Sequence, residues 1–578
     1  MTRRVIYGES NYANVVRKEG YFVDKSAFIA KLEAIENPIF LRPRRFGKSF
    51  FCSMLRHYYD LNFADHFREL FGESWIGRQP TPAHNQYMVL FFNFSTIDVG
   101  KTLPQIEHSF KNHGNPILQA LRAEYHTYLA EMPEMVSSDA VSDNLNKLFH
   151  YLRSQQLPQL YVIIDEYDNF ANQLITSHQD QLYAELTADG GFLKTFFKTL
   201  KAGRESGAIA NIFITGVLPI TIDELASAYN IGSFLTLEPG FESMLGFTQA
   251  EVDRLLDAIY ADHDLDPATR PEIDAIIKSN YDGYHFVDPE GDALYNSTIL
   301  IYFLRYFTQY KTIPEALIDL NLKTDLSWVR RITSANPGDS EEFVRQLTQA
   351  NRISYDRNLL LSKFDMHQFF SKDFYPISFF YLGLLTRIDR FHLGLPNLSL
   401  QQIFVQYFNE LNRIDVSTRY AEMMQAFVEQ PNLERLFAGY WQEYIGQFPE
   451  AIFQKVNENF YRATFFELCS RHLSPWFTWN MERSYPKGKS DLEFVGKYHE
   501  KFAGLRWVLE FKYIANSKLQ RDQLTIDTFT LPTNAQAQLQ GYARGLQQEY
   551  PEAQIALFII YCFGNRGYRI FPVATPGP

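Results

Sequence analysis

Three consecutive residues, Gly47-Lys48-Ser49, close the stretch Arg42-Pro43-Arg44-Arg45-Phe46-Gly47-Lys48-Ser49 and carry three complementary chemistries. A glycine lets backbone N–H groups approach an anion, the Lys48 ammonium can reach outer phosphates, and the Ser49 hydroxyl can ligate Mg²⁺. That is the closing half of a phosphate-binding Walker A loop. The full spacing asks for a glycine where Arg42 stands, so the match is partial. An arginine there, flanked by Arg44 and Arg45, would grip phosphates through side chains more than through N–H groups. Gly-Lys-Ser alone is equally what an ordinary helix N-terminus with a surface Lys-Ser pair presents.

Further along, the apolar Leu160-Tyr161-Val162-Ile163-Ile164 ends abruptly in Asp165-Glu166. In such a pair Asp165 would hold Mg²⁺ beside Ser49, and Glu166 would orient or deprotonate an attacking water. The other reading is a core strand closing in a solvated acidic turn, and the loop upstream favours the first. Thr215 stands near the end of a third apolar run, residues 210–217, where a polar side chain could sense a γ-phosphate. Arg204, just before that run, could face a nucleotide or a neighbouring subunit.

A second set of groups lies near the C-terminus. Asp491 follows Gly488-Lys489-Ser490, and Leu505-Arg506-Trp507-Val508-Leu509-Glu510-Phe511-Lys512-Tyr513 reads as a strand with Glu510 and Lys512 on one face. The 18 residues between Asp491 and Glu510 suit two strands of one hairpin with a loop around 496–504. That hairpin would unite Asp491, Glu510 and Lys512. Two carboxylates can hold Mg²⁺ against a phosphodiester, and the ammonium can position water or stabilise developing charge. Without metal, mutual repulsion should raise at least one carboxylate pKa. Glu-aromatic-Lys by itself is also what a cross-strand surface salt bridge looks like.

The elements that must position these groups are readable in outline. An amphipathic helix over 27–35, with Asp24 or Ser26 as cap, leads into an apolar strand before the loop, and residues 88–94 form another. Uninterrupted apolar strands of this kind belong to parallel sheets buried on both faces. Helical periodicity runs through 102–156, and again through Val252, Leu255, Leu256 and Ile259 and through Ile299, Leu300, Phe303 and Leu304. His285, His367 and His392 lie apart, as packing or surface histidines do.

At 578 residues the chain is too long for one core, and about three or four domains are expected. A 46% hydrophobic and 21% charged composition is that of a folded globular protein. Cys52, Cys469 and Cys562 are scattered, so neither a zinc pattern nor a disulfide framework is present, as suits a reducing compartment. No signal peptide or bilayer-spanning run is evident, and the expected location is cytoplasmic. The net charge of −12 argues against a protein that coats nucleic acid. Residues 451–578, however, hold 15 Lys and Arg against 11 Asp and Glu, and could lie against phosphates.

The arginine-rich loop, Ile163-Ile164-Asp165-Glu166-Tyr167-Asp168 and Phe213-Ile214-Thr215-Gly216-Val217 together resemble the bacterial AAA-ATPase-like family, in which the arginine-rich loop is the usual form. Leu245-Gly246-Phe247-Thr248-Gln249-Ala250-Glu251-Val252, Tyr281-Asp282-Gly283-Tyr284 and Tyr381-Leu382-Gly383-Leu384-Leu385-Thr386 fit the same family. The resemblance implies an α/β fold: a P-loop NTPase core of the AAA+/STAND-like kind with a parallel sheet over 1–240, then a helical lid and linker region over 241–450. Residues 451–578 resemble the PD-(D/E)XK nuclease superfamily, an α/β restriction-endonuclease-like domain. Asp491, Glu510 and Lys512 match its core, and Gln538-Leu539-Gln540-Gly541-Tyr542 its following helix. Glu458, with Glu467 as alternative, falls on the preceding helix, where an acidic residue assists metal binding. The implied cofactors are ATP and Mg²⁺, and the implied partner is nucleic acid, DNA ahead of RNA. No membrane is involved, and a homo-oligomer stays open. The expected function is ATP binding and hydrolysis coupled to metal-dependent phosphodiester cleavage gated by nucleotide state. The alternative is a STAND-like switch or scaffold whose C-terminal domain binds nucleic acid or a partner without cutting.

Overall fold

The computed structural model describes all residues except 1–2, 189, 225–228, 319–325, 336, 362–364, 417–419, 482, 486–487, 523 and 576–578. Five strands, β1 (Pro38–Leu41), β2 (Met88–Asn93), β3 (Leu160–Asp165), β4 (Ile209–Gly216) and β5 (Ser233–Phe234), build one wholly parallel sheet in the order β2-β3-β4-β1-β5. Parallel neighbours need crossovers, and helices α2 (Lys48–Tyr59), α3 (Leu103–Glu124), α4 (Val141–Ser154), α5 (Asn169–Thr176) and α6 (Phe192–Glu205) supply them. These helices cover the sheet, which is why every residue of β1 and β3 is buried and their sequences do not alternate. Because β4 lies between β1 and β3, the ends of three strands converge: the loop after β1, the carboxylates closing β3, and Thr215 near the end of β4.

The helix expected over 27–35 is shorter, α1 (Ala27–Leu32), and neither proposed cap bonds to its N-terminal amides in the usual way. Asp24 instead accepts from the backbone of Ser26 and Trp75, and the Ser26 hydroxyl accepts from Ile76 N–H, so both tie the helix start to a neighbouring turn.

The middle of the chain is mainly helical: α7 (Gln249–His263), α8 (Arg270–Tyr281), α9 (Ser297–Tyr310), α10 (Leu326–Ala335), α11 (Pro337–Ala350) and α12 (Leu398–Leu411) are its longer members. Thr248 and Glu251 form a reciprocal capping box at the start of α7. A small antiparallel sheet of Ile353–Ser354, Thr386–Arg387 and His392–Gly394 interrupts the helices, in strands too short to leave a period in the sequence.

The C-terminal sheet has the order β6 (Phe477–Met481), β7 (Leu492–Gly496), β8 (Leu505–Ile514), β9 (Gln554–Phe563), β10 (Gly567–Val573), antiparallel except for β8 and β9. Helices α13 (Glu458–Leu473) and α14 (Thr533–Glu549) cover opposite faces. Trp507, Leu509 and Phe511 of β8 pack with Phe465 of α13, whereas Val508 and Ile514 pack with Leu539 and Tyr542 of α14. That division leaves Glu510 and Lys512 on the α14 side. The sheet is docked on α8 by Arg506, whose guanidinium pairs with Glu272 at 3.1 Å. No helix among the described residues is long and apolar enough to cross a membrane.

Candidate functional site

The loop after β1 is held from outside itself. Arg45 has φ 71° and Gly47 φ 92°, both left-handed, and for Arg45 that conformation is strained by about 1–3 kcal/mol. The strain is held by the start of α9: Arg45 O accepts from Thr298 N at 3.0 Å and from the Ser297 hydroxyl at 3.2 Å. Phe46 O accepts from Gly246 N, and the Phe46 ring stands edge-on to Tyr284 and Phe286 at 5.0 and 5.4 Å. The middle region therefore clasps the loop.

Arg42 does not serve as the expected phosphate grip. Its guanidinium is turned into the core, donating to the carbonyls of Leu41, Thr236 and Glu242, with its carbon 4.4 and 4.2 Å from the Phe40 and Phe286 ring centres. Carbonyl acceptors and ring faces can house a weakly hydrated planar cation, and burial lowers its pKa to about 9. Pro43 lies against Gly383, where a Cβ would come within 2.4 Å of the proline ring. Arg44 raises no bar to a phosphate role: it is exposed and its charge acts on Lys48 and Glu166.

Lys48 is buried and its ammonium donates to Arg42 O at 3.0 Å and Pro43 O at 2.9 Å, closing the loop on itself. Burial lowers its pKa, opposed by Glu166 and Asp165. Asp165 is fully buried and burial raises its carboxyl above the usual range. The nearby Ser49 hydroxyl and Lys48 ammonium oppose that rise, yet neither Asp165 oxygen completes a hydrogen bond of normal geometry. Glu166, in the left-handed region at φ 52°, is likewise raised by burial. A buried carboxylate with both oxygens unbonded beside a serine hydroxyl fits a divalent cation.

Thr215 is committed differently from a sensor. Its hydroxyl donates to Phe40 O at 2.7 Å, stitching β4 to β1. Arg204 lies at the opposite end of β4, where it donates to Ile209 O and pairs with Glu36, and so does not face the loop. The residue that sequence reasoning passed over is Asp168. Its carboxylate accepts from Val217 and Leu218 N–H and from Asn172, fixing the chain where it leaves β4. Beside Phe46 and Gly47 lies a largely apolar pocket of about 130 Å³ lined by Tyr7, Phe22, Phe50, Met244 and Phe247.

At the C-terminal site, the register Leu492–Leu509 places Asp491 opposite Glu510, one step further along the antiparallel pair. Asp491 Oδ2 accepts from Phe511 N–H at 2.7 Å, and Arg462 Nη1 approaches Oδ1 at 3.6 Å. Lys512 Nζ donates to Glu510 Oε1 at 2.8 Å, while Oε2 is buried and unbonded among the described residues. Burial, then Asp491, pushes Glu510 up to about 7, against the pull of Lys512. Burial works against the Lys512 charge, but the bond to Glu510 and the field of Asp491 hold its pKa above the usual value.

Glu458 is in the first turn of α13, behind Asn457, whose side chain caps the helix, and its charge also acts on Glu510. Glu467 is fully buried on the same helix and bonds to Asn409 and Arg471, away from Asp491. The Tyr542 hydroxyl donates to Lys489 O at 2.8 Å and steadies the approach to Asp491, with Gln538 bonded to the same hydroxyl. Among the described residues, no three or more His, Cys, Asp or Glu side chains are gathered into a ready metal cluster. The unbonded Glu510 Oε2 beside Asp491 still fits a cation held by two carboxylates, with backbone or water completing its shell.

Residues 6–226 match the family model described as predicted AAA-ATPase, and residues 456–571 match that of the PD-(D/E)XK nuclease superfamily. No curated protein matches the chain. The first match contains the loop, Asp165, Glu166 and Thr215, and the second contains Glu458, Asp491, Glu510 and Lys512. The chain thus joins an AAA-ATPase-like module to a C-terminal domain of the PD-(D/E)XK nuclease superfamily.

Proposed function

We propose that the N-terminal module binds and hydrolyses ATP, and that the C-terminal domain cuts nucleic acid phosphodiesters with Mg²⁺, under control of the nucleotide. The observation that carries the nuclease reading is the Asp491–Glu510 juxtaposition with one carboxylate oxygen unbonded and Lys512 on the other. A bound divalent cation would supply charge neutralisation at the phosphate and a more acidic water. Asp491, kept in place by Phe511 N–H, and Glu510 would hold it, with Glu458 assisting. Lys512 would orient the nucleophile or stabilise the charge that develops on the phosphate.

In the N-terminal module, Ser49 and Asp165 would hold Mg²⁺, Lys48 would leave its loop carbonyls for the phosphates, and Glu166 would accept a proton from water or orient it. The base would lie in the Tyr7–Phe247 pocket. Gating is supported by one continuous set of contacts. Helix α5 starts just after Asp165-Glu166, and Arg331 of α10 donates to Ile175 O in α5 at 2.7 Å and pairs with Asp180. Helix α11 follows α10, and Thr348 O near its end accepts from Asn459 beside Glu458.

The test is a cleavage assay on single- and double-stranded DNA and RNA, DNA first, with Mg²⁺ or Mn²⁺, with and without ATP, and with Asp491→Ala as control. If the wild-type protein cuts none of these, the nuclease reading is lost. The Arg462–Asp491 approach favours a second reading, a nucleotide-dependent switch that holds nucleic acid without cutting, because the guanidinium already takes up carboxylate charge. Binding without cleavage in the same assay would establish that second reading.

A further inference from the structure

The niche beside Asp491, about 360 Å³, is not built by the C-terminal domain alone. Asn457, Glu458, Asn459, Arg462, Lys489, Ser490, Asp491 and Phe511 line it, and so do Gln349 and Ala350 at the end of α11. Gln349 lies more than 100 residues before the nuclease-superfamily match begins at residue 456. It is only 5% exposed. Its orientation is determined: Oε1 accepts from Arg345 Nη1 at 2.9 Å, and Arg345 is in turn held by Glu342. An arginine N–H can be met only by the amide oxygen, so the NH₂ end points the other way. That Nε2 is buried and bonds to nothing among the described residues. Helix α11 is anchored here by Asn459 Nδ2, which donates to Thr348 O at 3.1 Å.

Buried donors in folded proteins are almost always satisfied, and an unpartnered one in a residue that lines a polar niche calls for a partner, which a ligand can supply once the amide turns to meet it. The niche is lined by cationic Arg462 and Lys489 as well as the carboxylates Glu458 and Asp491. An anionic ligand that approaches the carboxylates through a cation, and the amide directly, satisfies both. We propose that Gln349 is a catalytic-site residue of the C-terminal domain, donating from Nε2 to a non-bridging oxygen of the phosphodiester next to the bond cut at Asp491 and Glu510. The inference rests on the nuclease reading. It makes the active site composite, with a middle-region helix contributing a substrate contact. A neutral donor suits this place, since a glutamate there would face Glu458 and Asp491 and repel the phosphate.

The experiment compares full-length wild type, Gln349→Ala and Gln349→Glu, with Asp491→Ala as the inactive control. Oligonucleotide binding is measured in Ca²⁺, cleavage in Mg²⁺, Mn²⁺ binding by calorimetry, and folding by thermal melting. A hydrogen bond from the amide to a charged phosphate predicts affinity or kcat/KM lower by about tenfold to a hundredfold in Gln349→Ala and lower again in Gln349→Glu, with Mn²⁺ affinity and melting unchanged. Wild-type cleavage together with undiminished cleavage and binding by Gln349→Ala overturns this inference and leaves the nuclease reading standing. Parallel loss of Mn²⁺ binding or of melting temperature overturns it too, because Gln349 would then be only a packing residue. A wild type that cuts nothing sinks the nuclease reading and this inference with it.

Discussion

Lys512 and Glu510 share one hydrogen bond of 2.8 Å, and the other oxygen of that glutamate is buried without a partner among the described residues. Glu510 accordingly ionises with difficulty, at about 7 instead of the ordinary 4.5. With its pKa raised on folding, the stabilisation it contributes is complete below about pH 4.5 and is lost as pH rises through about 7. In EDTA, wild type should therefore lose stability relative to Glu510→Gln between pH 5 and 8. Cation binding must displace the same proton, so Ca²⁺ affinity should climb by up to about tenfold per pH unit below 7 and then level off. Chemical denaturation and calorimetry across pH check both. Parallel pH curves for wild type and Glu510→Gln would remove the assignment.

Asp491→Ala and Lys512→Ala should each lower Mg²⁺-dependent cleavage by at least about a hundredfold with the fold retained. The two differ in a second readout. Asp491→Ala should weaken Mn²⁺ binding, whereas Lys512→Ala should spare it, because the ammonium acts on substrate and water. Calorimetry with Mn²⁺ separates the roles, and equal metal loss in both variants would contradict them.

Lys48 bonds to the carbonyls of Arg42 and Pro43, so under the proposed function a nucleotide would have to draw it away before it could meet phosphate. Mg-ATP should raise the melting temperature of wild type, and Lys48→Ala should remove that increase and reduce ATP turnover by at least about a hundredfold. Arg42→Ala should behave otherwise. It removes a buried guanidinium that joins three carbonyls and two rings, so it should lower stability without ligand. Melting with and without Mg-ATP distinguishes a nucleotide contact from a structural one.

Arg506 and Glu272 are 7% and 6% exposed in their side chains and join the C-terminal sheet to α8. Removing one partner strands the other charge in the core, which costs about 3–5 kcal/mol. Arg506→Met should show that loss in urea unfolding, and adding Glu272→Leu should restore most of it. A double variant as unstable as the single one would mean that packing, and not the stranded charge, sets the cost.

What sequence could reveal here was local. The strands β1 and β3 announce themselves because a parallel strand covered on both faces is apolar throughout, and their carboxylate or Gly-Lys-Ser endings mark the ligand edge. The interval from Asp491 to Glu510 was informative because a short hairpin has few registers. Arg42 was misread because the groups that receive it, Thr236 O and Glu242 O, lie about 200 residues away. Thr215 looked free for the same reason, its acceptor Phe40 O belonging to a strand 175 residues earlier. Gln349 left no signal, as one glutamine in a polar helix acquires meaning only when α11 meets α13.

Arg331 is where that meeting can be tied to the nucleotide. It holds the end of α5, the helix that begins beside Asp165 and Glu166, and belongs to α10, which leads into the helix carrying Gln349. Coupling between two sites needs an element whose position both can bias, and α10–α11 contacts α5, which starts beside one site, and Asn459 of α13, beside the other. Arg331→Ala should therefore leave basal ATP turnover and nucleotide-free cleavage within about twofold of wild type while abolishing the effect of ATP on cleavage. Because coupling is reciprocal for binding, the variant should also lose any effect of oligonucleotide on ATP affinity. Measuring both directions is decisive: a variant that keeps either effect would show that the signal bypasses α5 and α10.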